Sequence, residues 1–103
     1  MKRLEDYYIS FKDIDGVQAF YCINLKSKKI QSKIIDESHN KSDMLETIRN
    51  ISNYLRKSKF DMLYIESEEH IFFKSISTND NIFIIVTDKN LTIGSIFNAL
   101  KKL

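Results

Sequence analysis

The sequence predicts a three-layer α/β sandwich. A five-stranded antiparallel sheet, in the order 2-1-5-4-3, should carry one helix on one face and two on the other. Three observations predict it. The run Ile82-Phe83-Ile84-Ile85-Val86 is apolar on both alternating sets of side chains, so it needs cover on both faces. Residues 17–25 are nearly as apolar, which puts these two strands side by side in the middle. The order helix, strand, strand, helix, strand, strand, strand, helix leaves two antiparallel blocks joined by one helix. That helix must cross one face, and the terminal helices are left to cover the other.

Residues 2–12, KRLEDYYISFK, read as a helix with Leu4, Tyr7, Tyr8 and Phe11 on one face. Acids sit near its positive end and Lys12 near its negative end. Asp15-Gly16 breaks it. In the strand 17–25, Val17, Ala19, Tyr21, Ile23 and Leu25 should line one face, and Phe20 and Cys22 the other. Ser27-Lys28-Lys29 is a polar turn. Residues 30–35 form a second strand, whose Gln31, Ser32 and Lys33 suit an edge.

After the polar loop 36–41, a helix is expected over 42–58, capped by Ser42 or Asn40, with Asp43 and Glu46 near its start. Met44, Ile48, Ile51 and Leu55 make its apolar stripe, widened by Leu45 and Tyr54. Strands then follow at 62–66, 71–76 and 82–87, joined by the short polar segments 67–70 and 77–80 as hairpins. The last helix carries Ile93, Ile96, Phe97, Leu100 and Leu103 at helical spacing. Asn90 is its expected N-cap, and Lys101 and Lys102 close it.

A chain of 103 residues, 43% hydrophobic and 29% charged, reads as one globular domain over 1–103. Its net charge of +2 is too small to argue for nucleic acid or membrane as a partner. The basic turn around Lys26, Lys28, Lys29 and Lys33 lacks free aromatic platforms for bases. No apolar run approaches membrane-spanning length and no signal-peptide pattern is visible, so a cytoplasmic protein is expected. Cys22 stands alone and is expected to be buried and inert.

Catalytic chemistry is equally hard to find. His39 and His70 lie on a loop and a turn, far short of a metal-ligand set. Glu68-Glu69 reads as a solvated turn, and no phosphate-binding glycine motif occurs. Arg49 is expected to pair with Glu46, three positions earlier on the helix. The expectation is therefore no catalytic residue, no cofactor, no metal and no enzyme. Tyr54, Tyr64, Met62 and Phe60 are more apolar surface than a thin sheet can hide, so some should serve an interface.

The C-terminal half, DMLYIESEEHIFFKSIS followed by NIFIIVTDKNLTIGSIFNALKKL, resembles the Roadblock family of dynein light-chain and GTPase-regulator domains. Thr87, Asp88 and Lys89 stand at that family's corner after the last strand. Leu91 and Gly94 open its last helix, and Gly16-Val17 matches the Gly-Val before its first strand. The chain departs from the pattern at Glu68-Glu69, where a glycine is common, and in a middle helix rich in Ile, Asn and Ser. The resemblance implies a domain that dimerises and serves as a platform for small Ras-like GTPases.

The strand order also leaves two edges. Lys28, Lys29 and Lys33 guard the second strand, whereas the third is apolar along its middle, a template for pairing with another chain. The expected homodimer interface is Met62, Leu63, Tyr64 and Ile65 from that strand, with Ile51, Tyr54 and Leu55 from the middle helix. The function expected is a non-catalytic, homodimeric platform that regulates or positions a small GTPase. The alternatives are a small-molecule sensor resembling profilin or PAS sandwiches, which would show an apolar cavity with a few polar groups, and a structural subunit of a larger assembly.

Overall fold

A computed structural model describes residues 4–36, 41–55, 57, 62–78, 81–90 and 93–102, with the backbone alone at 41–43, 55, 62–63 and 75–78. Its elements are α1 (Leu4–Phe11), β1 (Val17–Asn24), β2 (Ile30–Ile34), α2 (Lys41–Leu55), β3 (Met62–Glu66), β4 (Ile71–Thr78), β5 (Asn81–Thr87) and α3 (Ile93–Lys101). The strands form one antiparallel sheet in the order β2-β1-β5-β4-β3. The expected sandwich and strand order are both present.

β5 is central because both of its faces are apolar, and every residue from Ile82 to Thr87 is buried. Its odd and even positions feed different layers. Phe83 and Ile85 meet Tyr7 and Phe11 of α1 and Ile96 and Leu100 of α3. Ile82, Ile84 and Val86 meet Ile48 of α2, with Met44, Leu45 and Ile51 packed around it. The Tyr7 and Phe83 rings stack at 4.3 Å. Each large side chain so buried stabilises the fold by roughly 1.5–3 kcal/mol relative to exposure. The covering helices are held to the sheet by such contacts rather than by intrinsic helicity.

Four expectations change. The first concerns the faces of β1. Val17 packs with the α1 and α3 layer, while Ala19, two residues on, packs with the α2 layer. A register irregularity between Val17 and Ala19 inserts Gln18 as an extra residue, and one extra residue reverses which face a side chain takes. Second, Ser42 lies inside α2, which begins at Lys41, so it does not cap that helix; Asn40 lies outside the described residues. Third, Asn90 is not adjacent to α3. It sits in a turn, where its backbone N–H donates to Asp88 Oδ1 at 3.0 Å. Fourth, the β4–β5 hairpin is tighter than expected, with Thr78 opposite Asn81.

The corner after β5 is locked to the start of β1. The Asp88 backbone N–H donates to the Gly16 carbonyl at 2.9 Å. Gly16 has φ +95°, and a Cβ there would lie 3.0 Å from Asp88 Oδ1. Both the backbone conformation and the close carboxylate require glycine.

Candidate interaction edge

β3 is five residues long and pairs on one side only, with β4, from Met62 opposite Ser75 to Glu66 opposite Ile71. Its other side presents the edge of the sheet. Alternation sends Tyr64 and Glu66 toward the α1 and α3 layer and Ile65 toward α2. Tyr64 lies 6.0 Å from the Phe97 ring and 5.9 Å from the Phe73 ring, yet remains 43% exposed. Ile65 is half-buried against the layer under α2. Lys89 bridges to Glu66 at 3.4 Å, which ties the end of the edge strand to the corner after β5.

α2 contributes the second part. Ile48 is fully buried and Ile51 half-buried, but Tyr54 is 71% exposed, the most exposed of the large apolar side chains among the described residues. At about 100° per residue, Tyr54 lies roughly 140° round the helix from Arg49. Of the seven expected interface residues, Ile51, Tyr54, Tyr64 and Ile65 have described side chains. The side chains of Leu55, Met62 and Leu63 lie outside the described residues.

Two features were not singled out from the sequence. Phe97 joins Tyr64 to α3, which the helical stripe alone does not reveal because the contact crosses to another element. Lys74 is fully buried on β4, on the α2 face, opposite Leu63 and Ile84; it is not without a partner. A lysine directly after the apolar run Ile71-Phe72-Phe73 was the available signal.

Cys22 is half-buried rather than buried, and its surroundings push the thiol pKa up, which keeps it protonated. No group of three His, Cys, Asp or Glu side chains converges as a metal site among the described residues. None of the helices there is long and apolar enough to cross a membrane. Glu46 and Arg49, expected to pair, form no ion pair among the described residues.

No family model matches the chain, and no curated protein matches it. Solved structures do. MglC from Myxococcus xanthus is similar with a TM-score of 0.66 at 14% identity, over 90% of this chain and 85% of that one. MglB of Myxococcus xanthus is similar with a TM-score of 0.62 at 13% identity, over 91% of this chain and 81% of that one. This chain shares its fold with both of these proteins.

Proposed function

We propose that this chain is a non-catalytic, cytoplasmic Roadblock-type platform that pairs with itself and binds a small Ras-like GTPase, regulating or positioning it. The observation that carries the pairing is the coincidence of an unpaired sheet edge at β3 with Tyr54 exposed on α2. Antiparallel pairing of two β3 edges would close a twofold interface and lay two α2 helices side by side. Tyr54, Ile51 and Leu55 would then be covered, together with Met62, Leu63, Tyr64 and Ile65.

The GTPase part rests on the Roadblock resemblance, now supported by a fold shared along nine-tenths of the chain with MglC. Exposed aromatic side chains suit a docking platform. A regulator must distinguish nucleotide states, because a partner with equal affinity for both shifts nothing. Small GTPases from the same cell, loaded with GDP or a GTP analogue, should therefore bind unequally in calorimetric titration, by at least about tenfold. Equal binding would leave a scaffold. No binding by any of them would remove the GTPase from the proposal.

A further inference from the structure

A groove of about 220 Å³ opens between the β1–β2 turn and the C-terminal half of α2, lined by Ile23, Leu25, Lys28, Ile30, Arg49, Ser52 and Asn53. We propose that it binds a small organic acid, with its apolar chain on the isoleucine and leucine floor and its carboxylate between Lys28 and Arg49. This goes beyond the GTPase reading and does not depend on it.

The chemistry is asymmetric. Ile23 is buried and Leu25 and Ile30 are half-buried, which makes the floor apolar. The rim carries two cations and no acid. Arg49 is not engaged by Glu46, so its guanidinium fork can receive a carboxylate in two-pronged fashion. The Ser52 hydroxyl donates to the Arg49 carbonyl at 2.8 Å, so its proton is already engaged within the helix. Nothing on the lining favours a cationic ligand.

The rim is built rather than floppy. Asn24 Oδ1 accepts from the backbone N–H groups of Lys26 and Ser27 at 3.0 and 2.9 Å. The Lys28 N–H donates to the Asn24 carbonyl at 2.8 Å, and the Asn24 N–H to the Lys29 carbonyl at 3.0 Å. These bonds hold Lys28 in the left-handed region, at φ 65°. A preformed turn spares the ligand the cost of ordering its backbone.

Size sets the ligand class. At about 30 Å³ for a water-sized group, the groove holds roughly seven such groups, below the usual volume of a drug-sized pocket. A short acyl or arylalkyl acid fits, with weak affinity. The groove lies on the flank of α2 that carries Arg49 and Asn53, well round the helix from Tyr54. Pairing through Tyr54 and β3 would therefore leave it open.

The test is a titration of ¹⁵N-labelled full chain with 4-phenylbutyrate, with 4-phenylbutylamine as the charge-reversed control, read by amide shifts. Saturable shifts at Leu25, Lys28, Ile30, Arg49, Ser52 and Asn53 are expected with the acid and not with the amine. Arg49→Glu should weaken binding at least about tenfold. Lys28→Asp, a residue that tolerates the left-handed backbone, should do likewise. Both side chains are exposed, so the variants should keep dispersed spectra. Non-saturable shifts, shifts centred on β3 or α3, equal binding of the amine, or indifference to both charge reversals would each overturn the site. Light scattering on the same samples reports pairing separately, so failure of the dimer and failure of the groove are distinguishable.

Discussion

The two edges of the sheet are equal in length and opposite in treatment. β2 and β3 each have five residues and each pair with one neighbour. On β2, Lys33 reaches over the Tyr8 ring, 4.6 Å from its centre, and bridges to Glu5 of α1 at 2.8 Å. The first helix thus packs beside that edge and places charge on it. On β3, Tyr64 is exposed on the α1 and α3 face, and on the other face of the sheet Tyr54 is exposed on α2. A sheet edge is a standing invitation to pair, and charge is one way to decline it. Among the described residues, one edge carries an ion-paired lysine within the strand and the other an exposed tyrosine, with its ion pair at the strand's end.

The comparison can be broken at its common support. Ile84 is fully buried at the centre of β5, between the halves that carry the two edges. Ile84→Ala should cost about 2–5 kcal/mol in denaturant unfolding, with both edges lost in one transition. A loss confined to one half would show that the edges belong to separate folding units.

The next largest effect should fall on pairing through α2 and β3. The wild type should scatter light with twice the chain mass of 12.2 kDa at micromolar concentration. Tyr54→Asp should raise the dimer dissociation constant at least tenfold, about 1.4 kcal/mol, because it places an unpaired charge in an apolar contact. Lys33→Ala on the other edge should leave the mass unchanged. A monomeric wild type, or a dimer sensitive to Lys33 and not to Tyr54, would reverse the assignment of the edges.

Alkaline titration sharpens the contrast further. Burial pushes the Tyr21 phenol, in β1, up to about 12 from an ordinary value of 10.0. The folded state then holds that proton more tightly than the unfolded chain does, so stability falls as pH rises from about 10 to 12. Tyr21→Phe should make thermal unfolding less sensitive to pH across that window. Lys33 also has its pKa raised, chiefly by the hydrogen bond to Glu5. Its contribution is complete below the ordinary lysine range and is lost as pH passes the raised value. Since both partners are well exposed, Lys33→Ala should give the smallest change in melting temperature here, and one that shrinks as salt is raised.

Much of this molecule was determined by the sequence alone. Strand order followed from which segments are apolar on both faces, since only central strands are covered twice. Which two strands form the edges followed from the same order. Local pattern fails where one residue changes the phase. The bulge at Gln18 moves Val17 to the other layer, and nothing in the alternation of residues 17–25 announces it. The groove is a further case. Lys28 and Arg49 are 21 positions apart on different elements, and the sequence reading took one as turn polarity and the other as half of a helical ion pair. Only the crossing of α2 over the sheet brings them to one rim. Periodicity reports which face of an element is apolar; which elements then meet, and which charges they leave facing one another, is decided by packing.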